Sequence, residues 1–224
     1  MTSPTDDDAR LEHVEATPIT ESRRARKERT RQAILAAALT LLEEEGFGQL
    51  SLRQITREVG IVPTAFYRHF ASLDELGLTL VDESFSTLRQ MIRSAREDMA
   101  AWDSVIRESV QVLVANVHAN RAHFSFIARE RFGGHAPVRR AIRHELELFS
   151  RELATDLAEL PNLRAWSRED LHMLSDLIVN TMVSTAELLL TLPEDDPEEE
   201  RRIVRNVNKQ LRVIVVGISG WRPR

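Results

Sequence analysis

The twenty residues from Ser51 to Phe70, SLRQITREVGIVPTAFYRHF, constrain this chain more than any other stretch. Ser51 and Gln54 stand three apart, the spacing of a capping box that starts a helix. Leu52, Ile55 and Val59 then recur at helical spacing and give that helix one buried side. Gly60 falls at the C-cap, where a residue tolerant of positive φ is needed. Pro63 suits the first turn of a second helix, because its missing N–H is not required there. Two helices of about two turns each, joined by a short bend at glycine, make a helix-turn-helix. On the second helix Ala65, Phe66 and Phe70 can pack inward. Thr64, Tyr67, Arg68 and His69 then stay near the surface, offering groups that donate to phosphate oxygens and base edges. The segment points to DNA.

The net charge of −5 is the wrong sign for a DNA binder until it is divided along the chain. Residues 1–20 carry −4, residues 21–70 carry +3, and residues 71–224 carry −4. Positive charge therefore sits with the helix-turn-helix, and the remainder repels a polyanion. Residues 1–20 lack periodicity and are expected to form a disordered acidic tail. Six basic residues lie between Arg23 and Arg31. They form either an arm that tracks phosphates, with Arg23, Arg24 and Lys27 as candidates, or the solvated start of a helix. Ser51 and Arg53 join Thr64, Tyr67, Arg68 and His69 as further candidate DNA contacts.

From Thr30 the pattern becomes strongly helical, with Ile34, Leu35, Ala38, Leu41 and Leu42 on one side and Gly46 at its end. Three helices with so small a shared core would be marginal alone, so they must lean on the remaining 150 or so residues of the chain. A second capping box, Ser72 to Glu75, opens a long helix running to about Met99. Further helical segments run over 102–117, 121–131, 138–160, 167–192 and 197–217, with glycines and prolines between them. No stretch alternates as a strand does. The expected fold is all-α, with about nine or ten helices. Residues 21–71 would form a three-helix, helix-turn-helix DNA-binding head, and residues 72–224 a helical body for ligand binding and dimerisation.

Several classes are disfavoured. The chain has no cysteine, so disulfides and thiolate zinc sites are excluded. No run of eighteen apolar residues suggests a membrane span, and the polar N-terminus does not read as a secretory signal, so a soluble cytoplasmic protein is expected. There is no P-loop, dinucleotide fingerprint or nucleophile elbow, and the seven histidines are scattered. An enzyme, a metal site and a cofactor are not expected.

The stretch TRQAILAAALTLLEEEGFGQLSLRQITREVGIVPTAFYRHFASLDEL resembles the TetR family of bacterial transcriptional regulators. The resemblance rests on the Ala-rich first helix, Gly46-Phe47, Ser51, Ile55, Val59-Gly60 and Tyr67-x-His69-Phe70. It departs at Leu73, where the family often carries a lysine that reaches phosphate. Within the family, FYRHFASLDELGLTLVDES and FSFIARERFGG look like the FabR and DesT type, which repress fatty-acid synthesis genes. The resemblance implies a homodimer on a palindromic duplex operator and a hydrophobic small-molecule effector such as long-chain acyl-CoA. Alternatives are a regulator of efflux or catabolic genes sensing another hydrophobic molecule, and a constitutive DNA-binding protein.

An acyl pocket should be apolar and walled by several helices. Phe85, Leu88, Ile92, Leu113, Val117, Phe124, Ile127, Phe149 and Met182 are the candidate lining, although each also suits plain core packing. Arg129, Glu130 and Arg131 suit interhelical ion pairs or a bound phosphate. Two stripes, Leu171, Leu174, Ile178 and Leu189 on one helix and Val207, Leu211 and Ile214 on the next, are the candidate dimer interface.

Overall fold

A computed structural model describes residues 22–95, 102–193 and 196–222, without the side chains of 90–105. The expected tail at residues 1–20, the helix end near Met99 and the Ile92 side chain lie outside the described residues. Among the described residues the chain is all-helical: α1 Arg23–Glu44, a short 3-10 helix Phe47–Gln49, α2 Leu52–Val59, α3 Pro63–Phe66, α4 Leu73–Ala95, α5 Trp102–Ala119, α6 Arg121–Glu130, α7 Ala136–Ala158, α8 Arg168–Leu190 and α9 Pro197–Gly220.

The basic segment at Arg23–Arg31 is helix, not an extended arm. Ser22 caps it by accepting from the Ala25 amide at 3.2 Å. Arginine, lysine, glutamate and alanine are all strong helix formers, so nothing delays the start to Thr30. The far end also differs from expectation. α1 stops at Glu44 with an extended Glu45 cap, and Gly46 instead precedes the 3-10 helix with φ −78°.

A single apolar core joins the head to the body. Ile34, Leu35, Ile55, Phe66 and Phe70 from α1–α3 and the turn after α3 share it with Leu76, Leu80 and Phe85 of α4, Phe126 of α6, and Val138 and Ile142 of α7. All of these are at most 2% exposed. α4 is the spine of this cluster, and α4 begins where the head ends. Ser72 accepts from the Glu75 amide at 3.1 Å, and the Glu75 carboxylate accepts from Ala71 N at 2.6 Å. This reciprocal cap holds the join between head and body.

Three smaller clusters build the rest of the body from α5, α6, α7, α8 and α9. Arg121 caps the C-terminal end of α8 by donating to the Leu190 carbonyl at 2.7 Å. At the other end of the body, the Trp221 indole donates to Asp170 at 3.0 Å, and its ring lies 6.2 Å from Trp166. α8 is the most apolar of the long helices among the described residues. Its best window has a mean hydropathy of 1.3, enough by length and composition to cross one, and only 28% of that window is buried. The polar Asn180, Thr181 and Ser184 interrupt it, so no unbroken apolar run marks it in the sequence.

Gly77 shows how closely head and body approach. A Cβ there would lie 2.5 Å from the Phe47 ring and 2.8 Å from Val138. Alanine normally favours a helix interior over glycine by about 1 kcal/mol. Here the overpacking of a filled core, at about 1–3 kcal/mol, outweighs that gain. Gly77→Ala is expected to lower unfolding stability by about 1 kcal/mol in urea titration, where an exposed helical glycine would give a rise.

Candidate nucleic-acid interface

The capping box forms as the spacing predicts. Ser51 Oγ accepts from Gln54 N at 3.3 Å, and Gln54 Oε1 accepts from Ser51 N at 2.9 Å. Gln54 also donates to Glu45 at 2.7 Å, tying α2 to the corner after α1. At the other end Gly60 is left-handed, with φ 72° and ψ 32°. The Ile61 amide returns to the Thr56 carbonyl at 2.9 Å, closing a Schellman turn. Pro63 then opens α3 at its first position.

α3 is shorter than the sequence suggests. It makes one α-turn, and Tyr67–His69 then tighten, with Arg68 N bonding to Ala65 O and His69 N to Phe66 O at 2.8–3.2 Å. The tightening brings Phe66 and Phe70 into one core, with ring centroids 5.6 Å apart. It leaves Thr64, Tyr67 and Arg68 exposed and His69 half-buried. Arg23, Arg24, Lys27 and Arg53 are also exposed. Ser51 is half-buried, and its hydroxyl is engaged in the cap.

The N-terminal half of α1 lies beside the turn after α3. The Arg31 guanidinium covers the Phe70 ring at 4.5 Å, and the His69 carbonyl lies 3.4 Å from its Nη1. Burial lowers the pKa of His69 below its ordinary value, and the nearby cations of Lys27 and Arg31 lower it further. His69 is thus biased toward its neutral form, and it stands among the positive charges of Lys27, Arg31 and Arg68. Arg31 and Val62, which is 63% exposed at the start of α3, were not among the sequence candidates. Arg31 is hidden in a basic run, and nothing in the sequence singles out Val62 as facing outward.

The candidate effector residues are divided among packed clusters. Phe85, Leu88, Ile127 and Phe149 belong to the shared core, with the Phe85 and Phe149 rings 5.7 Å apart. Leu113, Val117 and Phe124 pack with α8 and α9, and Leu88 touches this cluster as well. Met182 lies against the α5–α9 cluster. Two clefts, of about 590 and 380 Å³, open instead on the α8–α9 face, and none of these candidates lines them. A polar pair joins α4 to α6. Ser84 Oγ donates to the Leu80 carbonyl at 2.7 Å, so His123 Nδ1–H donates to Ser84 Oγ at 2.8 Å.

The candidate dimer stripes divide between the subunit's core and its edge, where Ile214 lines the larger α8–α9 cleft beside Leu177 and Val213. Leu171, Leu174, Leu189, Val207 and Leu211 are at most 7% exposed inside the subunit's own core, and Ile178 and Ile214 are half-buried at its edge. They are needed to close α8 and α9 onto α5 and α7. The apolar residues that face outward on these helices are Met173, Leu177, Leu188, Val213 and Val216. In the 129–131 triplet Arg131 pairs with Glu187 at 3.0 Å, while Arg129 and Glu130 bond to backbone groups of the head.

A helix-turn-helix on a shared core with a long helical body defines a DNA-binding regulator. The model of the bacterial regulatory proteins of the tetR family matches residues 34–78. A second model, of the tetracyclin repressor-like C-terminal domain, matches residues 102–208. Together they cover well over half of the chain, and the chain belongs to the TetR family of DNA-binding transcriptional regulators. Solved structures are similar in fold across most of its length. A TetR-like transcriptional regulator from Rhodococcus sp. RHA1 has TM-score 0.63 at 15% identity, covering 84% of this chain and 96% of its own. FadR from Bacillus subtilis, solved with stearoyl-CoA, has TM-score 0.64 at 15% identity over 85% and 99%. AibR, solved with isovaleryl coenzyme A and operator DNA, has TM-score 0.62 at 14% identity over 80% and 96%.

Burial also lowers the pKa of His123. A histidine held neutral in the fold takes up its proton on unfolding, so stability falls as pH drops below the ordinary value of 6.5. Melting temperature is expected to fall between about pH 7 and pH 5, and His123→Gln should flatten that fall. A variant with the wild-type pH slope would contradict the assignment.

Proposed function

We propose that this chain is a homodimeric, effector-gated repressor acting in the cytoplasm. Residues 21–71 are its DNA-reading head, and residues 72–224 its effector and dimerisation body. The observation that carries the DNA reading is the exposed set Thr64, Tyr67 and Arg68, with His69 beside Lys27 and Arg31 on α1. Arg23, Arg24 and Arg53 add exposed charge that supports phosphate contacts. Ser51 acts by capping α2. Leu73 packs against the core where relatives often carry lysine, so phosphate anchoring falls on the α1 basic residues, Tyr67 and His69.

The dimer pairs α8 and α9 across a two-fold axis through Leu177, Leu188, Val213 and Val216, rather than through the buried stripes. The exposed apolar residues Met173, Leu177 and Leu188 on α8 and Val213 and Val216 on α9 support this reading. A two-fold dimer presents its recognition turns to successive major grooves about 34–36 Å apart, which suits a palindromic operator. The effector wedges between α4 and the helices packed on it and changes that spacing. It must favour one spacing over the other, or the equilibrium does not shift.

The effector is a long apolar molecule such as an acyl-CoA, and the regulated genes serve fatty-acid metabolism, as in the FabR and DesT type. Two proteins of like fold were solved with acyl-CoA ligands, and Leu88 of α4 touches both the cluster of Phe85, Ile127 and Phe149 and the cluster of Phe124. The dense packing of those residues favours a second reading, a constitutive DNA-binding protein without effector.

Tyr67→Ala with His69→Ala is expected to weaken binding to a duplex selected from a random pool by about a hundredfold or more, within the usual specific-to-non-specific gap. Binding equal to wild type would remove the recognition-turn assignment. Leu177→Glu with Val213→Glu should give monomers in sedimentation, whereas a persisting dimer would move the interface elsewhere. Thermal-shift titration with acyl-CoAs of graded length should show a chain-length optimum. No response at any length would favour the constitutive reading.

A further inference from the structure

The last turn of α6 grips the corner at which α1 gives way to the 3-10 helix. Arg129 donates to the carbonyls of Leu42 at 3.0 Å and Glu43 at 2.8 Å. Both carbonyls belong to the final turn of α1, where a helix has no internal donors left. Glu130, only 2% exposed, accepts from the Phe47 amide at 2.8 Å across 83 positions of sequence. That amide opens the 3-10 helix and equally lacks a partner of its own. Two adjacent side chains of the body thus satisfy both sides of one bend in the head.

The surroundings are shaped to the Glu130 carboxylate. A Cβ on Gly133 would collide with Glu130 Oε2, and one on Gly46 would meet Oε1 at 3.5 Å. The Phe47 ring packs against His135, with centroids 4.8 Å apart, and against the bare backbone of Gly77. The corner in turn carries α2, because Gln54 donates to Glu45 at 2.7 Å. Glu130 therefore holds Phe47, two residues beyond the Glu45 that Gln54 of α2 grips, and α2 leads to α3 through the turn at Gly60.

We infer that Glu130 is a positioning residue for DNA recognition, with Arg129 as its second tether. By holding Phe47 and the end of α1, the pair sets the angle at which Thr64, Tyr67 and Arg68 are presented. The residue that aims the head thus belongs to the body and touches no DNA. A buried acceptor of a backbone amide is worth enough, when removed, to change an equilibrium by about tenfold. In a two-fold dimer the error in angle counts twice, once at each half-site.

The inference rests on the recognition-turn reading of α3, and the two fail differently. Wild-type protein selects a duplex from a random pool, and each variant's affinity is then measured on that duplex and on an unrelated one. Glu130→Ala is expected to lose about tenfold on the selected duplex and less than about twofold on the unrelated one. Glu130→Gln, whose amide oxygen accepts the same bond, should return to within about threefold of wild type. Hydrogen exchange at the Phe47 amide should speed up in Glu130→Ala and not in Glu130→Gln. Glu130→Ala protein that is folded by circular dichroism and binds the selected duplex as wild type does would overturn the inference. Should Glu130→Ala fail to fold, Arg129→Met decides. Expected is a loss of selected-duplex affinity at unchanged melting temperature, and unchanged affinity would overturn it. If wild type selects no duplex at all, the recognition-turn reading has failed instead, and the exchange rate at Phe47 still tests the grip.

Discussion

Phe47 is the contact on which the rest of the structure depends. Its ring packs on His135 of the α6–α7 connection and occupies the space left by Gly77 on α4, and its amide is held by Glu130 at the end of α6. One residue of the head thus meets three separate parts of the body. The need for it is a matter of size. A unit of about fifty residues buries too little apolar surface to be firmly stable by itself. Leu76, Leu80 and Phe85 of α4 complete its core, together with Phe126, Val138 and Ile142. Head and body are continuous in packing.

That continuity also fixes how the head is held on the body. The α4 helix runs from the recognition turn into the body, where Arg89 reaches Glu145 and Glu152 on α7 and lies over the Phe149 ring. The end of α6 grips the head at a second point. Close-packed interiors have low compressibility and transmit strain, so the head is not packed on the body as a loose attachment. The body therefore meets the head at two points, through α4 and through the end of α6.

The helix-turn-helix was legible in the sequence because its determinants are local. Ser51, Gln54, Gly60 and Pro63 each answer a backbone requirement within a few residues of themselves, and all four do so in the structure. The helices of the body were legible for the same reason. What the sequence could not resolve was which side of a helix faces where. On α8 both sides are apolar, so periodicity alone could not separate Leu171 and Leu174, which close the subunit, from Leu177 and Leu188, which face outward. The grip of Arg129 and Glu130 on the head joins residues more than eighty positions apart, beyond any spacing rule. The basic run before Thr30 reads as an arm only when its charge is weighed ahead of its helix propensity and the Ser22 cap.

Aiming the recognition turns from the body requires that head and body form one cooperative unit. Native-state hydrogen exchange, followed against low concentrations of denaturant, measures this directly for the amides of α2 and α7. Both sets are predicted to exchange through the same global opening, with the same free energy and the same denaturant slope. If the α2 amides opened at lower free energy and with the shallow slope of a fragment of about fifty residues, the head would be an independent unit on a tether. The shared core and the grip at Phe47 would then not be what orients it.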